Sequence, residues 1–471
     1  MIVIDASPPP MPFRRHVGRT LVLGLPLVGS LLAQILIGLT DTLMLGRYSV
    51  EALAAGALAT TVFHAVFILA AGFAIAAMGA AADAVGRGDE RTVRRTARMG
   101  LWLSLGAGLA AMPVLWFSEP ILLAAGQMPR TAADTADYMQ IAMLALVPAL
   151  LVMTLRSHLS ALERTRIVLW ATVAAAVVNF GLNWLLIFGN AGAPELGIRG
   201  AAWASVLSHS ATAIVLALYA ARGPGMARWE LFRNLWRMDR EILVRLFHLG
   251  WPVGLTLVSE SAMFTGTALM MGAIGSEPLA AHGIVMQVAA ATFMVHLGIS
   301  QAATVRVGRF AGEGNGAELR RAALAALTLS GAAVVLSIVV YLGAGRWIVA
   351  AFLDMSDPDA PQILSLGIAL MGVAALFQLV DAAQVMALGF LRGLQDTRWP
   401  LVLAAISYWG VGIPACLLLG FTLDMGPLGI WLGLVIGLAV ASALLMIRFY
   451  RLGVVAGSAV PSQAAPGGPS S

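Results

Sequence analysis

The chain has 471 residues, of which 59% are hydrophobic and only 11% charged, with a mean hydropathy of +0.87. Soluble globular proteins carry roughly a quarter charged residues, so this composition excludes a soluble chain and points to a membrane protein. All 29 basic residues are arginine and outnumber the 24 acids, leaving a net charge of +5. The positions of those arginines decide whether the charge serves nucleic acid or membrane topology.

A membrane-crossing helix needs about 20 mainly apolar residues. Six such stretches lie in the first half, at 20–46, 52–81, 99–118, 134–155, 167–188 and 200–221. Six more follow at 246–272, 279–305, 322–343, 362–391, 400–423 and 426–447. The predicted fold is therefore all-α, with twelve transmembrane helices. Ahead of them, residues 1–19 carry Arg14, Arg15, His16 and Arg19, a start that resembles a signal peptide. The apolar run continues to Leu45 without a small-residue cleavage site, which reads as a retained first span. Gly and polar turns separate most spans, as at Gly86-Arg87-Gly88-Asp89 and Asp424-Met425-Gly426-Pro427. Residues 222–245 hold six arginines and read as a surface connector between an N-lobe, 20–221, and a C-lobe, 246–451. The tail 452–471, rich in Ser, Gly, Ala and Pro, is expected to be disordered. The single cysteine, Cys416, lies in an apolar stretch, which excludes a disulfide framework and a multi-cysteine metal site.

With both termini cytoplasmic, only Arg47, Arg130, Arg199 and Arg346 fall on the outer side. So strong a bias fits the positive-inside rule, and one spurious helix would scramble it. Topology and anionic lipid account for the charge, and nucleic acid is not needed.

The halves repeat each other. Gly24-Leu-Pro26 matches Gly250-Trp-Pro252, Gly46 matches Gly272, Gly88 matches Gly314 and Arg94-Arg95 matches Arg320-Arg321, all at an offset of 226. Each repeat has six spans, an even number, so the two lobes insert the same way up, related by a pseudo-two-fold axis along the membrane normal. Pro26 and Pro252 mark matched bends, with ordinary kinking and gating equally open as their role.

Three carboxylates, Asp41, Glu260 and Asp381, fall within apolar segments, and no arginine enters a predicted span. An unpartnered carboxylate in hydrocarbon costs several kcal/mol while ionised, so such groups are poised to take up and release cations. Gln34 lies seven residues before Asp41 and matches Glu260 in the repeat. Gln378 and Gln384 flank Asp381 at spacings of three, placing all three on one helix face. Asn179 and Asn183, one turn apart, form a candidate polar cluster with Asp41; helix packing is an equally good use for them. Phe63, Phe264, Phe293 and Phe377 offer aromatic faces to an organic cation. His64 and His296 read as structural or pore-lining groups. No nucleophile elbow, phosphate-binding loop, dinucleotide fingerprint or paired-histidine zinc motif occurs, so the expectation is not an enzyme but transport driven by a gradient.

Taken together, several motifs resemble the multidrug and toxic compound extrusion family, in its NorM-type branch. They include Thr40-Asp-Thr-Leu-Met-Leu-Gly46, Asn179-Phe-Gly-Leu-Asn183 and Gly250-Trp-Pro252 with Glu260. Phe377-Gln-Leu-Val-Asp-Ala-Ala-Gln384 and Asp396-Thr-Arg398 complete the set, and the likeness runs from about Arg14 to Arg451. The resemblance implies a V-shaped two-lobe bundle in a bacterial inner membrane that exports organic cations or amphipathic drugs in exchange for H+ or Na+. It assigns the coupling ion to Asp41, Asn179 and Asn183 in one lobe and to Glu260 and Asp381 in the other, the latter pair as sodium ligands if sodium is the ion. Phe377 stands where relatives often have tyrosine, and Gly283 where many have glutamine; both remove an oxygen ligand from a sodium site. A monomer without cofactors is expected. The nearest rival is a lipid-linked saccharide flippase of the same superfamily, disfavoured by the lack of an arginine within the spans.

Overall fold

The computed structural model describes residues 11–458. The N-lobe is built from α1 (Phe13–Tyr48), α2 (Val50–Gly86), α3 (Glu90–Trp116), the short α4 (Ser118–Ala124), α5 (Pro129–Ala161), α6 (Thr165–Phe188) and α7 (Ile198–Arg222). The C-lobe comprises α8 (Arg240–Ile274), α9 (Ser276–Gly312), α10 (Gly316–Ala350), α11 (Ala360–Gly393), α12 (Arg398–Ala405), α13 (Ile413–Leu417) and α14 (Gly426–Ser458). α12 and α13 are parts of one continuous span, Arg398–Thr422, interrupted by π-helical turns at Ile406–Gly412 and Leu418–Thr422. Among the described residues, twelve helices are long and apolar enough to cross a membrane, as the sequence pattern predicts.

Matching turns start matching helices. Asp89 caps α3 by accepting from Thr92 N at 2.9 Å, and Asn315 caps α10 by accepting from Glu318 N at 3.1 Å. Just before them, Gly88 and Gly314 adopt φ of 69° and 68°, a left-handed conformation that glycine enters without steric cost. Asp239 caps α8 from within the segment expected to be a connector, so residues 240–245 are helical. The remainder of that segment is clamped to α3: Arg94 pairs with Glu230, Arg95 with Asp239, and Arg98 donates to the Arg233 and Asn234 carbonyls at 3.0 and 2.9 Å. Of the expected disordered tail, 459–471 lies outside the described residues, while α14 runs on through Ser458.

Each lobe has its own core. Met139, Leu146, Leu150 and Ile187 are buried together in the N-lobe; Tyr341, Phe377, Tyr408 and Trp431 are in the C-lobe. The lobes meet through α1, α2, α8 and α9, and only along part of their length. Residues 70–84 of α2 and 296–310 of α9 are almost continuously buried, whereas 51–69 and 276–294 alternate with exposed positions.

Small residues permit the close approach, and they come in symmetric pairs. A methyl group added at Gly72 would stand 2.3 Å from Gly254 N; at Gly298, the repeat partner of Gly72, it would stand 2.7 Å from Val28 N. Likewise a methyl group at Gly86 would meet the Arg309 carbonyl at 2.0 Å, and one at Gly312 the Asp83 carbonyl at 2.1 Å. In both cases the contact maps onto its counterpart at the repeat offset, as a pseudo-two-fold axis through the interface requires. This closed end is the one where α1 begins and α14 ends, and it carries most arginines. Arg47, Arg130, Arg199 and Arg346 lie at the opposite, splayed end of their helices.

One expectation is corrected. The helices continue past the predicted spans, and Arg156, Arg306 and Arg392 are buried inside α5, α9 and α11. Hydropathy fell at these positions because neighbouring helices, not lipid, surround them. Arg306 donates to the His16 carbonyl at 2.6 Å and to Thr20 at 2.7 Å, while Arg156 donates to Gln34 at 3.1 Å and Ser30 at 3.2 Å.

Candidate functional site

In the N-lobe, α1 and α6 bring three of the expected residues together. Asp41 lies one to two turns from the splayed end of α1 and is partly buried. Asn183 donates its side-chain amide both to Asp41 and, at 3.1 Å, to Asn179 Oδ1. Both asparagines are fully buried, and spacing by four residues stacks them on one face of α6. Asn183 Oδ1 and Asn179 Nδ2 have no hydrogen-bond partner. Gln34 does not join this cluster: it is exposed and accepts from Arg156.

The C-lobe cluster is deeper and larger. Gln384 on α11 donates at 2.7 Å to Glu260 Oε1 of α8 and at 2.7 Å to the Tyr408 hydroxyl. Tyr408 sits in the first π-helical turn, whose wider winding breaks the ordinary 3.6-residue spacing next to the acids. One helical turn before Asp381, Gln378 donates to Thr292 at 2.6 Å and to Tyr341 at 3.2 Å, and these two hydroxyls lie 2.7 Å apart. Asp381 stands between the two networks, 1% exposed, with no partner on either carboxylate oxygen. The side-chain carbonyls of Gln378 and Gln384 are likewise unpartnered.

An unsatisfied buried polar atom costs about 1–3 kcal/mol, so four such oxygens on one face of one helix need a functional account. They are hard oxygen donors suited to a proton or an alkali cation. Among the described residues no group of three or more His, Cys, Asp or Glu is placed to hold a metal ion. The aromatic candidates divide. Phe377 is only 3% exposed and packs edge-on against Phe264 and Trp431, whereas Phe264 and Phe293 are half-buried. Phe63 stacks on Phe67, and His296 lies buried with Nδ1 2.9 Å from Ser330 Oγ.

The same architecture and much of the sequence occur in known proteins. The family model described as MatE matches residues 26–185 and again 252–418, two copies whose starts are separated by the repeat offset. The chain belongs to the multidrug and toxic compound extrusion (MatE) family. A probable multidrug resistance protein NorM of Rhizobium meliloti is 43% identical over 93% of this chain and 94% of its own length. That of Agrobacterium fabrum is 39% identical over the same shares. A MATE transporter solved in an outward-facing conformation superposes with a TM-score of 0.84 at 20% identity, covering 94% of this chain and 96% of that one.

In this MatE protein, Tyr408, Tyr341, Thr292 and Arg156 complete the polar interior, yet sequence reasoning did not single them out. Thr292 and Tyr341 interrupt apolar runs as isolated hydroxyls, and Tyr408 follows Ser407 in another. Arg156 lies one residue beyond the fourth predicted span, so a search inside the spans passed it by.

Proposed function

We propose that this multi-pass membrane protein is a secondary antiporter that exports organic cations or amphipathic drugs in exchange for H+ or Na+. The observation that carries this reading is Asp381, buried with both oxygens unpartnered beside Glu260 in a lobe flanking the splayed end of the bundle. The bacterial relatives' names as multidrug resistance proteins support the substrate class. With the arginine-rich end in the cytoplasm by the positive-inside rule, the splayed end faces outward. The lobe arrangement is then the one that releases cargo outside and admits the coupling ion.

Exchange follows from competition for the same charge. A carboxylate neutralised by an entering proton or sodium ion loses its attraction for a cationic substrate, which leaves. When the lobes close over the opposite side, the coupling ion departs to the cytoplasm and the acid regains its charge. About 2.3 kcal/mol per charge per 100 mV, plus about 1.4 kcal/mol per tenfold ion gradient, drives the cycle. Glu260 and Asp381 hold the coupling ion, Gln384 positions Glu260, and Asp41 with Asn179 and Asn183 forms a second site. The protein acts as a transporter rather than an enzyme, in the inner membrane with both termini cytoplasmic.

Arg156 favours a second reading, since a buried guanidinium beside the half-open face of α1 suits an anionic cargo such as a lipid-linked saccharide. Ser30 and Gln34 already engage it, and three carboxylates outweigh it. One assay separates the two. Proteoliposomes loaded with a fluorescent cation are given an imposed proton or sodium gradient, with Asp381→Asn as control. Export driven by one gradient and lost in the variant is expected. Export that needs neither gradient, or that survives in the variant, rejects the assignment.

A further inference from the structure

Outside both polar clusters, a cavity of about 400 Å³ opens at the arginine-rich end, between α8 and the start of α12. It is lined by Arg245, His248, Gln395, Asp396, Arg398 and Trp399. The charges are unevenly spoken for. Asp396 is taken by Arg448, whose guanidinium also lies 5.1 Å above the Trp399 ring. Arg245 donates at 2.6 Å to the neutral Gln395, and among the described residues neither Arg245 nor Arg398 has a carboxylate partner. The cavity thus presents two uncompensated guanidinium groups and an imidazole.

Its surroundings are those of a bilayer boundary. Trp399 is 53% exposed at the cavity wall, as expected of an indole at headgroup level. Beyond it, exposed apolar side chains continue towards the membrane centre on both helices, with Phe247 and Trp251 on α8 and Val402 on α12 followed by Ile406. A basic recess between transmembrane helices, at the end where arginines concentrate and continued by apolar surface, has the chemistry of an anionic phospholipid site. Paired guanidinium forks suit the phosphodiester of a headgroup, and the exposed apolar surface of α8 and α12 suits its acyl chains.

We infer that this recess binds the phosphate headgroup of an anionic phospholipid through Arg245 and Arg398. One wall of the site also joins the lobes. Gln395, which Arg245 holds, donates at 2.8 Å to Asp83 of α2, so a bound headgroup adjoins a contact that keeps the arginine-rich end closed.

The test is native mass spectrometry of the full chain in detergent, titrated with dioleoyl phosphatidylglycerol and, separately, with dioleoyl phosphatidylcholine. Wild type should retain the glycerol lipid preferentially. Arg245→Gln with Arg398→Gln should weaken that retention by about tenfold or more, given the attraction of each surface arginine for anionic lipid. Phosphatidylcholine binding should not change. A control of equal charge loss, Arg228→Gln with Arg237→Gln in the connector, should bind as wild type, and Arg245→Lys with Arg398→Lys should recover part of the affinity. Unchanged retention in the double glutamine variant overturns the proposal, as does equal loss in the connector control. Displacement of the lipid by inorganic phosphate alone would assign the recess to a free anion and also overturn it.

Discussion

The two lobes share a scaffold and differ in what they bury. At the closed end the repeat is nearly literal: Gly72 and Gly298, and Gly86 and Gly312, occupy matching positions and make matching contacts. In the polar interior the match fails. The C-lobe has Glu260 where the N-lobe has Gln34, and Thr267 where the N-lobe has Asp41. Glu260 is 7% exposed and joined to Gln384, whereas Gln34 is exposed and joined to Arg156. The packing interface is constrained by backbone distances that tolerate no added carbon, so both halves retain it. The interior polar groups are free to diverge, and each lobe holds its own polar set.

If that asymmetry sets the coupling, moving the acid across the repeat should not move the function. Glu260→Gln is expected to reduce gradient-driven export to the level of empty liposomes. Adding Gln34→Glu should give no rescue, because the new carboxylate meets Arg156, which now holds the Gln34 carbonyl at 3.1 Å. Restored export in the double variant would show the lobes to be chemically interchangeable. The interface offers the converse test. Gly72→Ala and Gly298→Ala each place a methyl group against backbone and should destabilise the closed end by about 1–3 kcal/mol, read as lower melting temperatures in detergent. Gly38→Ala and Gly283→Ala, near the splayed end with open space around them, should be neutral or slightly stabilising. Equal effects at both ends would mean that the lobes do not close asymmetrically.

Helix number and the lobe repeat were legible because hydropathy reports on the bilayer and the matched motifs recur at one offset. The helix ends were not. Val305-Arg306-Val307 and Leu391-Arg392-Gly393 read as leaving the membrane, yet the chain stays helical there, with Arg306 satisfied by α1. A hydropathy window cannot tell water from the interior of a neighbouring lobe. Asn183 does hydrogen-bond both Asp41 and Asn179, a contact that could be anticipated because spacing along one helix is visible in sequence and the polar groups are few. The π-helical turn at Ile406–Gly412 was invisible, since one extra residue per turn leaves no mark on composition. With it went Tyr408, the partner that fixes Gln384. Tyr408→Phe keeps the ring and removes one hydrogen bond of about 1 kcal/mol, so export should fall about fivefold while the melting temperature changes little. No change in rate would make the hydroxyl a packing accident.

The smallest difference between the lobes lies in their helix caps. Asp89 and Asn315 occupy matching positions and do the same work at α3 and α10, so Asp89→Ala and Asn315→Ala should each cost roughly 0.5–1 kcal/mol at neutral pH. Only one cap is titratable. The Thr92 hydroxyl, followed by the Thr92 backbone N–H, holds the Asp89 carboxyl below its ordinary value. A carboxylate lowered in the folded state contributes stability that is fully present above its unfolded pKa, about 3.9, and is lost as the pH falls through the lower folded value. The destabilisation caused by Asp89→Ala should therefore shrink below about pH 4, while that of Asn315→Ala stays constant. Melting curves of the two variants against wild type at neutral and acidic pH provide the check. A parallel decline in both would place the acid sensitivity elsewhere than in the cap, and the lobes would then be equivalent at this position too.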